Sequence, residues 1–351
     1  MLQIRYYYSQ INLASEGKDG QKLHHEIVIN NLDKLSVQYA YFYKMAERIT
    51  YYPEQSRSSE FSVSQIELDI DRRSVALFTR NTILFGSTKS GIQTTVKIST
   101  NRNGAMNEWE GLNMTYDVGM PVPEPYALAK NSDGVQVLIS QKVDGELLHT
   151  NSQTGKRYDL GQIVSFMHNK VGINAENWKS SGKPDFSYYE NLLNKYLKSS
   201  LNELKTGSET HTILNKFVNV MSYYCKTTTP VFNHNDLHDG QIIVKPNQKL
   251  VLLDFENWKE ETQLNEISYY LFHLIKDGSV NRNFDKFING YLKSYRLTDT
   301  EKSVMTFYLL FISARAIDYF KNTGSKYLQK ALETHKKVLR YTNDERLWKD
   351  Y

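Results

Sequence analysis

Residues 231 to 256 read VFNHNDLHDGQIIVKPNQKLVLLDFE, and this stretch decides the fold because polar clusters stand at the ends of two apolar runs. The runs, 241–244 and 250–253, have the length and branched composition of buried strands, and Pro246-Asn247 supplies a turn between them. We predict a β-hairpin. Its pairing brings the loop before the first strand and the segment Asp254-Phe255-Glu256 after the second to the same end.

The two ends of this hairpin would place acidic and amide side chains together. Phosphoryl transfer requires one carboxylate to orient an attacking hydroxyl, a second to hold magnesium, and a neutral oxygen ligand nearby. Asp236, Asp254 and Gln241 can fill these roles. The alternative is an acidic loop beside a buried hairpin, with no chemistry attached.

The pattern resembles the catalytic centre of the aminoglycoside phosphotransferase and choline kinase superfamily, which shares the protein-kinase fold. The usual motif there runs His-x-Asp-Leu-His-x-Gly-Asn and is followed by Asp-Phe-Glu or Asp-Phe-Asp. This chain has HNDLHDGQ over 234–241 and then DFE, with the two aspartates spaced as in that family. The resemblance implies these roles: Asp236 as the catalytic residue, Gln241 and Asp254 as magnesium ligands, and His234, His238 and Glu256 as supporting residues.

Gln241 departs from the asparagine that the superfamily usually carries as a metal ligand. It keeps the amide oxygen but adds a methylene, which is expected to shift or weaken the metal position. Some sugar kinases of the superfamily resemble this glutamine form, which argues against an inactive protein. His238 and Asp239 are expected to face the acceptor.

The resemblance covers about 64–337 and implies an α+β, bilobal protein-kinase-like fold. It places a β-rich, nucleotide-binding small lobe over 64–143 and an α-rich large lobe over 144–351, with the active site at their junction. Residues 1–60 precede it, and their alternating and helical patterns predict an N-terminal β-β-α extension that acts as a brace or as a recognition module. The polar segment 52–62, which contains Pro53, is interpreted as a linker.

Within the small lobe, strands are predicted over 75–78, 82–85, 94–98 and 135–140, and a helix over 105–116 that is closed by Gly119. Lys97 stands in an apolar strand, where an isolated ammonium is costly to bury, so it needs a phosphate or carboxylate partner. Glu108 on the following helix is the assigned partner, and Glu110 is the fallback.

Nucleotide contacts follow from the resemblance. Lys97 would touch the α- and β-phosphates, and the phosphate-covering turn would lie at 79–82, with Arg80 and Asn81 and without a glycine. Backbone groups of Gln141 to Val143 would face the adenine ring. ATP with Mg²⁺ is therefore the expected pair, and GTP stays open because side chains there do not select the base.

The large lobe is predicted to be helical over several segments that carry apolar residues at three- and four-residue intervals: 160–169, 188–204, 212–226, 264–276, 284–295, 299–320 and 326–341. The hairpin is the only clear β structure among them. Glu266 occupies the place where relatives have an aspartate that supports the catalytic loop, and we assign it that role.

Composition limits the functional classes. The 351 residues contain 43 Lys plus Arg against 39 Asp plus Glu, without a basic block, so nucleic-acid binding has little support. The longest apolar run, 305–314, is too short to span a bilayer, and the start lacks a secretory signal, so a cytoplasmic protein without membrane contact is expected. The single cysteine, Cys225, excludes an internal disulfide.

The sequence thus favours an ATP-dependent phosphotransferase acting on a hydroxyl of a small molecule such as an antibiotic, sugar or amino alcohol. Two alternatives remain: a kinase that phosphorylates a peptide or protein through the extension, and a kinase-like nucleotide-binding protein without turnover. Basic residues recur in the large-lobe helices and disfavour a polycationic aminoglycoside, so the acceptor stays open.

Overall fold

A computed structural model of the chain describes residues 48–61, 65–70, 76–77, 81–99, 103–131, 134–148, 155–173, 191, 220–221, 223–293, 296–322 and 327–343. The chain divides into two compact units. The small unit comprises residues up to Tyr116 together with Val122–Asp144, and the large unit comprises Asp117–Pro121 and Gly145 onward.

The small unit is built on one seven-stranded antiparallel sheet. Its strands are β1 Arg48–Ser56, β2 Ile66–Ile70, β3 Ala76–Leu77, β4 Asn81–Ser87, β5 Gln93–Ser99, β6 Pro125–Asn131 and β7 Gln136–Gln141. Their order is β2-β1-β6-β7-β5-β4-β3, and β2 also pairs with β4, so six of the strands close into a ring. Helix α1, Gly104–Asp117, follows β5. Phe61 and Tyr126 stack in the core with ring centroids 4.7 Å apart.

The linker predicted over 52–62 is wrong, because β1 lies within the sheet and pairs with both β2 and β6. Pro53 is accommodated where the register of β1 against β6 shifts, since a proline cannot donate to a regular ladder. Within the predicted extension 1–60, residues 48–56 form strand β1. The rest of the predicted β-β-α extension, 1–47, lies outside the described residues.

The large unit contains five long helices within its described residues: α2 Lys156–Lys170, α3 Gln263–Asp277, α4 Val280–Leu292, α5 Asp299–Asn322 and α6 Leu328–Asn343. Each was predicted to within a few residues. Apart from residue 191, the predicted helix 188–204 lies outside the part that the structure describes, as does most of 212–226.

Short strands position the loops of the large unit. The predicted hairpin is confirmed as β10 Ile242–Val244 paired with β11 Leu250–Leu252. Two further pairings were not predicted: β8 Glu146–Leu147 with β10, and β9 Val231–Asn233 with β12 Lys259–Glu261.

Helix α2 crosses α4 in backbone contact at two glycines. A Cβ atom on Gly161 would lie 2.0 Å from the carbonyl oxygen of Phe287, and one on Gly290 would lie 2.1 Å from that of Tyr158. No other residue fits either position without moving a helix. The first turn of α2 is thereby fixed in place.

Helix α5 is long and apolar enough to cross a membrane, the one such helix among the described residues. However, 67% of its most apolar 18-residue window is buried, as in the core helix of a globular unit. Its length exceeds the apolar run 305–314 because half-buried polar residues continue the helix on both sides.

Candidate active site

The loop after β9 is tied to the end of β11 by His234, whose side chain is fully buried. His234 Nε2 lies 2.6 Å from the carbonyl oxygen of Leu253, and its Nδ1 accepts the backbone N–H of Asp236 at 3.3 Å. One imidazole tautomer satisfies both contacts, with the proton on Nε2. The ring therefore joins the segment that carries Asp236 to the segment that carries Asp254.

Helix α3 supports the same loop through Glu266, which is fully buried. Glu266 Oε2 accepts the backbone N–H of Asn235 at 3.1 Å, where the backbone takes a left-handed conformation with φ of +62°. Burial raises the pKa of Glu266 to about 7, while the backbone N–H groups of Asn235 and His234 oppose the shift. The hydrogen bond from Asn235 to Glu266 is the kind of contact expected of a residue that supports this loop.

Asp236 stands half-buried in this loop. Burial, and after it the Asp254 and Glu256 carboxylates, raise the pKa of its carboxyl group to about 7, while Arg315 and Lys276 oppose the shift. Burial and then the Asp236 carboxylate raise the pKa of the neighbouring Tyr269 hydroxyl. A carboxyl group with a pKa near neutrality is well matched to accepting a proton from a hydroxyl.

Gln241 and Asp254 lie side by side at the end of the hairpin. Gln241 Nε2 donates to Asp254 Oδ2 at 2.8 Å, and Asp254 has a left-handed backbone with φ of +66° and ψ of 62°. Carboxylate and amide oxygens are ligands that Mg²⁺ prefers, and the amide needs only to exchange its oxygen and nitrogen to present the oxygen. The donor set therefore fits magnesium.

His238 and Asp239 differ in their surroundings. His238 Nδ1 accepts the backbone N–H of Gly240 at 3.0 Å, and its ring stacks on that of His273 with centroids 4.7 Å apart. Asp239 was expected to face the acceptor, but Arg157 and the Tyr270 hydroxyl occupy its two oxygens at 2.6 and 2.9 Å. That expectation is wrong, because Asp239 pairs with a buried cation.

In the small unit, Lys97 Nζ lies 2.6 Å from Glu108 Oε2, and both side chains are less than a tenth exposed. Lys97 sits in the middle of β5, with β4 and β7 on either side, so its ammonium has little access to water. Glu110 is exposed on the same helix. The expected ion pair is present with its first-choice partner.

The remaining nucleotide candidates are placed less completely. Asn81 begins β4 and is buried, while Arg80 lies outside the described residues. Gln141 ends β7, and its backbone N–H already donates to the carbonyl oxygen of Glu124 at 2.9 Å. The backbone of Val143 is therefore the better candidate for a base contact, and these roles stay predictions.

No protein-family model matches the chain, and no curated protein sequence matches it. Several solved structures match the chain in fold. A choline/ethanolamine kinase family protein from Mesorhizobium loti is 11% identical, with a TM-score of 0.57 over 76% of this chain and 86% of that one. An ethanolamine kinase from Plasmodium vivax is 13% identical, with a TM-score of 0.53 over 77% and 80%. The amicoumacin kinase hAmiN, in complex with AMP-PNP, Ca²⁺ and Ami, is 13% identical, with a TM-score of 0.53 over 91% and 96%.

The chain has a protein-kinase-like fold, which it shares with these kinases. The predicted α+β kinase-like fold is thereby confirmed. Within this fold, the sequence HNDLHDGQ lies on the loop between β9 and β10, and DFE follows β11.

Several residues around this kinase-like loop were missed at the level of sequence. Tyr269, His273 and Lys276 recur at helical spacing on α3, and Arg315 contacts Tyr269 from α5. The available signal was a polar stripe on a helix that is otherwise apolar. The sequence signal for Arg157 was weaker: it is a charged residue among the buried positions of α2.

Proposed function

We propose that the chain is an ATP-dependent phosphotransferase that moves the γ-phosphoryl group to a hydroxyl of a small molecule. The observation that carries the proposal is the loop fixed by His234 and Glu266, which holds Asp236 beside the Gln241–Asp254 pair. Kinases named for ethanolamine and amicoumacin share the fold, and one of them was solved with AMP-PNP, which supports ATP as the donor.

In this proposal Asp236 orients the acceptor hydroxyl and takes its proton as the oxygen bonds to the γ-phosphorus. The bond from that phosphorus to the bridging oxygen breaks, and ADP leaves. Gln241 and Asp254 hold Mg²⁺, which when bound offsets phosphate charge. Lys97, oriented by Glu108, contacts the α- and β-phosphates, and the backbone at Val143 contacts the base. GTP is the alternative donor, and we infer a cytoplasmic location.

Three variants separate these roles. Asp236→Asn keeps the shape but removes the proton acceptor, so turnover should fall by roughly 10² to 10⁴ while binding of Mg²⁺–AMP-PNP survives. Asp254→Asn removes a ligand charge and should weaken the magnesium-dependent part of nucleotide binding. Gln241→Asn should retain activity if the amide oxygen is the working ligand. Asp318→Asn, on the surface of α5, is the matched control.

The measurements are calorimetric binding of AMP-PNP with and without magnesium, and transfer of labelled phosphate from ATP to a panel of sugars, amino alcohols, macrolides and peptides. Unchanged turnover in Asp236→Asn would remove the catalytic assignment. Nucleotide binding without transfer to any acceptor would instead indicate a binding protein, and transfer to peptides alone would indicate a peptide kinase.

A further inference from the structure

Arg315 lies one side chain away from the candidate proton acceptor. Its Nη2 is 3.5 Å from the hydroxyl oxygen of Tyr269, and its Cζ is 5.8 Å from the centre of that ring. Tyr269 in turn lies within electrostatic range of the Asp236 carboxylate. The guanidinium, which is half-buried, therefore stands next to the place where an acceptor hydroxyl would bind.

Lys276 adds a second cation on the same side. It lies two helical turns after Tyr269 on α3, and its Nζ is 3.2 Å from His273 Nδ1. The His273 ring stacks on His238 of the catalytic loop. Both Arg315 and Lys276 act electrostatically on Asp236, and Lys330 of α6 adds positive charge near Lys276.

Arg315 and Lys276, which are half-buried, differ from the buried cations Lys97 and Arg157 in their distance from carboxylates. Lys97 and Arg157 each have a carboxylate at 2.6 Å. Among the described residues, no carboxylate oxygen lies within 4.0 Å of the Arg315 guanidinium or the Lys276 ammonium. Burial lowers the pKa of Lys276, and Lys330 lowers it further, while the Asp277 and Asp236 carboxylates oppose the shift. Partly desolvated positive charge that no carboxylate contacts directly favours an anionic ligand.

We propose that the phosphate acceptor carries an anionic group, a carboxylate or a phosphate, which Arg315 and Lys276 bind while its hydroxyl faces Asp236. This rests on the proposed function. A guanidinium recognises both kinds of anion through paired N–H groups, and a lysine adds a point charge. The same charges repel a cationic acceptor, so the acceptor would differ in sign from ethanolamine.

The test is calorimetric binding, in the presence of Mg²⁺ and AMP-PNP, of acceptors matched except for one anionic group. The pairs are serine with ethanolamine, galacturonate with galactose, and glycerol 3-phosphate with glycerol. We expect at least one anionic member to bind tenfold or more tightly than its partner, and the serine, galacturonate and glycerol 3-phosphate arms separate carboxylate from phosphate recognition.

The variants Arg315→Gln and Lys276→Gln should each weaken that anionic ligand by about tenfold or more, and leave the matched neutral compound and AMP-PNP unchanged. Arg315→Lys should recover part of the affinity. Lys336→Gln, exposed on α6, is the control, and thermal unfolding checks that each variant folds. If Arg315→Gln does not fold, Lys276→Gln carries the test.

Equal affinities within all three pairs, or tighter binding of the member without the anionic group in every pair, would overturn the inference. So would an equal loss for charged and neutral compounds or for AMP-PNP, which would assign the two cations to the transferred phosphate. Arg315-dependent binding of an anion without phosphate transfer would support the inference and contradict the proposed function. Phosphate transfer to neutral acceptors that does not depend on Arg315 would support the proposed function and contradict the inference.

Discussion

The guanidinium of Arg157, fully buried in the first turn of α2, lies 2.6 Å from Asp239 Oδ2 in the loop between β9 and β10. Tyr270 of α3 donates its hydroxyl to the other oxygen of the same carboxylate. Asp239 thus connects two helices to the loop three residues after Asp236, and the loop depends on a buried ion pair.

Arg157→Met should lower the free energy of unfolding by about 3–5 kcal/mol, because it leaves the Asp239 carboxylate buried without its cation. The double variant Arg157→Met/Asp239→Asn should recover most of that loss, since no charge is left to compensate. Urea unfolding of the wild type, both single variants and the double variant gives the coupling energy. A double variant no more stable than Arg157→Met would show that the pair is not the cause.

Glu108→Gln should weaken binding of Mg²⁺–AMP-PNP by about tenfold or more and also lower stability, because Lys97 loses the charge that orients and compensates it. Glu110→Gln is the matched control, two residues further along the same helix and exposed. Calorimetry and urea unfolding are measured for both. Equal affinities for the two variants would exclude Glu108 from nucleotide binding.

The raised pKa of Glu266 predicts that the free energy of unfolding depends on pH. Its pKa in the folded protein, about 7, lies above its ordinary value of 4.5, so the folded state binds more protons than the unfolded state between these values. The free energy of unfolding should therefore fall as pH rises from about 5 to 7, by up to about 1.4 kcal/mol per pH unit from this group. Glu266→Gln, which cannot ionise, should flatten this slope in urea unfolding at several pH values. An identical slope in the variant would place the raised pKa elsewhere.

Two truncations test the boundary of the small unit. Deleting residues 1–47 should preserve Mg²⁺–AMP-PNP binding, since every candidate nucleotide contact comes later. Deleting 1–60 removes β1, which pairs with β2 and β6, so the sheet should lose its cooperative thermal unfolding and its nucleotide affinity. Loss of affinity in the shorter deletion, with the fold retained, would assign a nucleotide contact to residues 1–47.

The sequence was most informative where the decisive contacts are local. The hairpin, with aspartates at matching ends, follows from apolar runs separated by a turn, so Asp236 and Asp254 could be placed together. The long helices follow from their apolar periodicity. Lys97 needed a partner because an ammonium in an apolar strand is costly to bury, and Glu108 was assigned because it stands where the resembling family carries a helix glutamate.

Other features are beyond local patterns. Strands of three residues, such as β9 and β12, are too short to show an alternation. Strand β1 contains a proline and polar residues, so its local pattern does not predict a strand. It is a strand because it pairs with β2 and β6, which follow it in the sequence. The contact between Arg157 and Asp239 joins residues 82 positions apart, so no spacing rule could have predicted it.

The left-handed backbone of Asp254 has a consequence for how this protein tolerates change. An aspartate there costs more conformational free energy than a glycine would, because its Cβ crowds the neighbouring carbonyl oxygen. Selection for thermal stability alone would therefore disfavour aspartate at this position, whereas the proposed role as a magnesium ligand would retain it. At position 254, the residue that would give the more stable fold differs from the residue that the proposed magnesium site needs.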